Sequence, residues 1–149
     1  MKEIAESMIP PLPKYKCEEL FLLGYLHDIG SEFTDNQDEH AHVGGEILSR
    51  QEYKYWKEVY CHGDPNTEYW SDALFLLNMA DLIIDETGNE VNVKEKLDGI
   101  ARKYGKDSKQ FLDAEKLAKR IGLILDIEVK LNNKPISEKM LDVINKQLF

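Results

Sequence analysis

A chain of 149 residues has the length of one ordinary domain, and a domain of that size buries roughly 68–70% of its unfolded surface. Hydrophobic residues make up 42% and charged residues 32%, a globular composition that excludes a disordered chain. The 19 basic and 28 acidic residues leave a net charge of -9. That balance argues against nucleic-acid polymers and anionic membranes as partners, since both require a basic face.

No apolar stretch approaches the roughly 18–20 residues of a spanning helix. The first residues, Met1-Lys2-Glu3-Ile4, carry acid at once and lack the apolar run of a signal peptide. Cys17 and Cys61 form no Cys-x-x-Cys pair and suit a reducing compartment. The expected location is the cytoplasm.

Pro10, Pro11 and Pro13 punctuate the start, and after them only Pro65 and Pro135 remain. The long proline-free stretches are rich in Leu, Ile, Glu and Lys, which favour helix. No sustained period-2 alternation and no Asn-Gly or Asp-Gly hairpin turn appears. The fold class expected is therefore all-α, a single-domain helical bundle over 1–149 with about six to eight helices.

In chain order, a short helix over 2–9 ends at the prolines. A second, over 16–29, is apolar nearly all round, as in the middle of a bundle, and Gly30 stops it. Residues 31–39 are polar and acidic and read as a loop. Helices follow over 40–51 and 52–62, then a turn at Gly63-Asp64-Pro65-Asn66. Residues 68–86 form a strongly apolar helix broken by Thr87-Gly88-Asn89. Helices over 92–104, 107–131 and 136–148 complete the set. The last has Ile136, Met140, Leu141, Ile144 and Leu148 on one face, which leaves a homodimer open, although packing within the chain explains it equally well.

Two carboxylates stand where packing would not put them. Asp28 closes an apolar helix beside His27, where a negative charge opposes the helix dipole by about 0.3–1 kcal/mol. Asp81 and Asn78 alone interrupt the apolar run from Leu74 to Ile84. A buried carboxylate needs a partner, and a metal ion is one. The bland alternatives are an Asp28 pointing to water and an Asp81 paired with a cation or lying on a solvent-facing stripe. The histidines His40 and His62 complete a mixed nitrogen and oxygen set, His27, Asp28, His40, His62 and Asp81, suited to one or two divalent ions. A helical bundle can converge such a set on its axis.

Leu23-Gly24-Tyr25-Leu26-His27-Asp28-Ile29-Gly30 resembles the signature of the HD-domain metal-dependent phosphohydrolases. His40-Ala41-His42-Val43-Gly44-Gly45 resembles their next motif, which selects His40 as the ligand and leaves His42 spare. Val59-Tyr60-Cys61-His62 resembles the family's histidine-bearing helix end, with Cys61 in place of the first of a pair. Ala80-Asp81 resembles its closing Asp, and Gly88 to Gly105 is similar to a bacterial HD subgroup. The likeness spans roughly residues 16–105, with 106–149 as C-terminal helices.

The resemblance implies an HD-type bundle and hydrolysis of a phosphomonoester or phosphodiester, in a nucleotide or related small phosphorylated molecule. It implies one or two divalent ions (Fe, Mn, Co, Ni, Zn or Mg) on His27, Asp28, His40, His62 and Asp81. Asp28 would bridge two ions, and His27 and Asp28 would form the catalytic centre. Arg50, Lys54 and Lys57 are the candidate phosphate-binding cations, with solvated surface charge as the alternative.

The chain also departs from the family. It has no histidine before His27, and Ser31 stands where a basic residue is common. It lacks the Gly-Tyr-Pro motif of the cyclic-dinucleotide subgroup and the acidic pair of alarmone hydrolases. Either the reading frame extends upstream or the chain has one ligand fewer. The second case leads to the rival expectation, a non-catalytic HD module for nucleotide sensing or protein–protein contact.

Overall fold

The computed structural model describes residues 14–85 and 87–123. The expected helices over 2–9 and 136–148 lie outside the described residues. Within them the fold is all-α, with six helices and no strand. These are α1 (Lys14–Leu26), α2 (His40–Arg50), α3 (Trp56–Cys61), α4 (Asp72–Ile83), α5 (Val93–Tyr104) and α6 (Lys109–Arg120). A 3₁₀ turn, Ile29–Glu32, follows α1. No described helix is long and apolar enough to cross a membrane. The chain divides into two compact units at the Leu77–Asn78 bond, inside α4.

In the first unit, α1 buries Cys17, Leu20 and Leu23, while α2 adds Ala41 and Leu48 and α3 adds Val59. The expectation that α1 is buried all round is corrected. Phe21, Leu22 and Tyr25 are 56%, 44% and 77% exposed, so burial follows one face despite an apolar sequence. The helix also ends earlier than Gly30, at Leu26. His27 and Asp28 form a turn, and the chain re-enters a tight helix through Ser31 N–H to the Asp28 carbonyl (2.9 Å). Asp28 itself sits at φ -98°, ψ 13°, in the sparsely allowed bridge region where active-site residues are often found.

The helix expected over 52–62 is likewise shorter, beginning at Trp56. Its start is displaced by the way α2 ends. Tyr53 N–H bonds the Leu48 carbonyl (2.9 Å) and Glu52 N–H the Ser49 carbonyl (3.0 Å), a Schellman closure that places Glu52 at φ 56°. Glycine normally fills that left-handed position, so the sequence carried no stop signal there. Tyr53, next in line, buries its hydroxyl without a hydrogen-bond partner among the described residues. Burial, reinforced by Tyr55, Glu58 and Glu19, pushes that phenol up to about 12. Tyr53→Phe should therefore keep or raise stability, by up to about 1 kcal/mol, because an unsatisfied buried hydroxyl is a cost. Thermal unfolding checks this, and a loss of stability would show that the hydroxyl has a partner.

Helix α4 starts at Asp72 rather than 68, where the Ser71 hydroxyl accepts from Leu74 N–H (3.0 Å). Leu74, Phe75, Leu76 and Leu77 are all buried in its first-unit half. In the second unit Met79, Ala80, Leu82 and Ile83 continue that burial, joined by Val93, Leu97, Leu117, Ala118 and Ile121. The break after α4 is a turn in which Asp85 Oδ1 accepts from Thr87 N–H and Asn89 N–H, each at 2.9 Å. Asn92 and Glu95 close a reciprocal cap on α5, and Ser108 caps α6. The helix expected over 107–131 stops at Arg120, with Gly122 at φ 82° and Leu123 N–H on the Ala118 carbonyl (2.9 Å). Residues 124–131 lie outside the described residues.

Candidate metal centre

Four polar side chains meet in the first unit: His27, Asp28, His40 and His62. They come from the turn after α1, the first residue of α2 and the residue after α3. Close backbone approach makes this possible. A side chain at Gly30 would overlap the His40 carbonyl oxygen and lie 2.6 Å from Gly44 N, so only glycine lets the 3₁₀ turn sit on the start of α2. A side chain at Gly45 would meet Tyr60 backbone and Cβ within 3 Å, so a second glycine lets α3 lie against α2.

Each imidazole is oriented by the same device. His27 Nδ1 donates to the Gly24 carbonyl (2.6 Å), His40 Nδ1 to that of Gln37 (2.5 Å) and His62 Nδ1 to that of Val59 (2.5 Å). A carbonyl only accepts, so in the neutral ring the proton stays on Nδ1 and Nε2 presents a lone pair. All three Nε2 atoms face Asp28. His27 lies 3.2 Å from Oδ2, and His40 and His62 lie 3.2 and 3.5 Å from Oδ1. The Nε2 atoms of His40 and His62 are themselves 3.2 Å apart. The His62 ring stands edge-on to both others, at centroid distances of 5.2 and 5.1 Å.

That arrangement gathers electron pairs around Asp28: the donor atoms of His27, Asp28 and His62 all lie within 4.8 Å of one another, and His40 Nε2 lies beside Asp28 and His62. Neutral imidazoles at these distances repel each other and the carboxylate unless positive charge lies among them. Protons on Nε2 or a cation supply it. Three nitrogen donors and a carboxylate, each nitrogen locked by a carbonyl on its far side, fit a divalent transition ion. Burial alone would push the Asp28 carboxyl up, but when Nε2 of His27, His40 and His62 carries a proton the three rings together hold it far below the usual carboxylate range. Asp28 keeps 57% of its side chain exposed while the His62 side chain keeps 2%. The cluster therefore has a buried imidazole floor and a carboxylate at the solvent edge.

The other candidate residues are placed as follows. His42 is exposed on α2 and stacks on Tyr60 at 4.4 Å, apart from the four. Asp81 is exposed on α4 beyond the unit boundary, whereas Asn78, three residues earlier, is 1% exposed. Arg50 ends α2, which His40 begins, so the two backbones lie about 15 Å apart along the helix. Lys54 bonds Glu19 (3.4 Å) and lies over the Tyr55 ring. Lys57 lies over the rings of Trp56 and Tyr69, each at 5.7 Å. Asp35, Asp38 and Glu39 are exposed in the loop before α2.

Sequence reasoning missed Glu58. It is 4% exposed on α3, and its Oε1 accepts from the Tyr69 hydroxyl (2.8 Å) and the Ser71 hydroxyl (2.9 Å). Burial and then Glu58 raise the Tyr69 phenol. The only signal was an acid between Trp56 and Val59 in a short apolar helix. No family model matches the chain, and no curated protein and no solved structure matches it.

Proposed function

We propose that this chain is a metal-dependent phosphohydrolase of the HD type, acting on a phosphomonoester or phosphodiester of a nucleotide or related small molecule. The observation that carries this reading is the meeting of three carbonyl-locked imidazole Nε2 atoms at one carboxylate. His27, Asp28, His40 and His62 would hold the ion. Bound there, a divalent ion would activate water near neutral pH and offset charge on phosphate oxygens. The carbonyls of Gly24, Gln37 and Val59 keep each ring in the tautomer that presents Nε2. Asp28, at the solvent edge, would offer a carboxylate oxygen to accept a hydrogen bond on the substrate side.

Charge narrows the substrate. Residues 28–39 hold five acids and no Lys or Arg, so the segment that begins at Asp28 disfavours a polyanion. A monoester or diester of low charge fits better than a triphosphate. The same acidic surround favours the second reading, a non-catalytic HD module for nucleotide sensing or protein–protein contact, over a phosphoesterase.

Metal analysis of the purified protein, with hydrolysis of bis-p-nitrophenyl phosphate, p-nitrophenyl phosphate and a panel of nucleotides, tests both. Bound metal with turnover on at least one ester is expected. Metal without turnover favours the non-catalytic module, and a protein that retains no ion after loading and hydrolyses none of the esters overturns the enzyme reading.

A further inference from the structure

We infer that Glu58 is a positioning residue for His62, acting through the placement of α3; this rests on the metal-site reading above. Helix α3 is six residues long, and an isolated helix of that length has no stability in water. Its position is set entirely by what it touches. On one side Gly45 admits the Tyr60 backbone. Toward the core, Val59 is fully buried. Tyr60 also stacks on His42 of α2, Lys57 lies over the Tyr69 ring, and Glu58 adds the hydrogen-bonded tie, holding the Tyr69 and Ser71 hydroxyls. Ser71 in turn caps α4 through Leu74 N–H. One carboxyl therefore joins α3 to the 67–71 segment and to the start of α4.

The chemistry of the site depends on that tie. The residue after Glu58 is Val59, whose carbonyl receives His62 Nδ1–H. His62 caps the same helix, one turn beyond Glu58. Any slip of α3 moves the carbonyl and the ring together, and carries His62 Nε2 away from His40 Nε2 and Asp28 Oδ1, now 3.2 and 3.5 Å distant. Among the described residues Glu58 has two hydroxyl partners and no cation. What the position requires is a buried acceptor of the right length rather than a charge pair, and glutamine supplies the same acceptor oxygen.

The test compares Glu58→Gln, Glu58→Ala and Leu97→Ala, the last a core truncation in α5 of the second unit. Co²⁺ affinity is read by titration of its visible spectrum, beside thermal unfolding. Glu58→Ala should lose about 10–100-fold in affinity, the usual effect of removing a group that supports a ligand. Glu58→Gln should restore it to near wild type. Leu97→Ala should lower the unfolding temperature without moving the affinity. Unchanged affinity in Glu58→Ala overturns the inference, as does equal loss in Glu58→Gln or in Leu97→Ala. Imidazole ¹⁵N NMR of the metal-free proteins gives an independent reading. The His62 Nδ1 signal should shift in Glu58→Ala and not in Glu58→Gln, and an unmoved signal again overturns it. If the wild type takes up no Co²⁺, the metal reading fails by itself, and the NMR comparison still decides whether Glu58 positions His62.

Discussion

Asp28→Ala should take up Co²⁺ or Zn²⁺ at least about 100-fold more weakly than the wild type, beyond the 10–100-fold cost of losing an outer-shell partner. The geometry gives the reason. Three Nε2 atoms can share a cation without Asp28, but they would then hold a double positive charge without the carboxylate that faces all three. Asp28 contacts all three rings, at 3.2, 3.2 and 3.5 Å. Its loss should leave folding largely intact, because 57% of its side chain faces solvent. The fold rests instead on Leu20, Leu23, Leu48 and Val59. Equilibrium dialysis with metal analysis reads the affinity, and circular dichroism reads the fold. An Asp28→Ala protein that binds as tightly as the wild type would mean that the ion, if any, sits elsewhere. A protein that unfolds would mean that Asp28 neutralises its histidines as part of the core.

The structure explains which parts of this arrangement could be read from the residues. Helices α5 and α6 begin near the expected positions because their starts are local, each a polar side chain over its own first turn, at Asn92 and Ser108. Helix ends were less legible where the stop is made without glycine. Glu52 closes α2 in a left-handed conformation, which only the i+5 bond from Tyr53 reveals. The early end of α1 has a similar cause. His27 turns its ring back onto the Gly24 carbonyl and so takes an acceptor at the end of the helix. Composition could not tell which face of α1 is covered, since Phe21, Leu22 and Tyr25 are as apolar as the buried Leu20 and Leu23.

For the site, His27, Asp28, His40 and His62 were suspect as polar groups at helix ends, and the order of the motifs linked them. Their meeting depends on two contacts that no pattern of charges discloses, Gly30 against His40 and Gly45 against Tyr60. Glu58 stayed hidden for another reason. An acid in a six-residue helix reads as surface, and its burial follows from Tyr69 and Ser71, more than ten residues later.

Those glycines lead to the second large effect. Gly30→Ala places a methyl group onto the His40 carbonyl oxygen and 2.6 Å from Gly44 N, both backbone atoms of α2 that cannot rotate aside. Overpacking of this kind costs typically about 1–3 kcal/mol and more when backbone must move; the upper end or beyond is expected here. The displacement also carries His40 away from Asp28, so affinity for metal should fall along with stability. Gly99→Ala is the counterpart. Gly99 lies inside α5, and among the described residues a side chain there would meet only the tip of Arg102, at 3.9 Å. A mid-helix glycine costs roughly 0.5–1 kcal/mol relative to alanine, so this substitution should raise stability by about that amount and leave metal uptake unchanged. The same added methyl is thus expected to act with opposite signs at two positions, by denaturant unfolding of both proteins. If Gly30→Ala matches the wild type in stability, the 3₁₀ turn does not rest on the start of α2, and the route by which His40 reaches Asp28 must be redrawn.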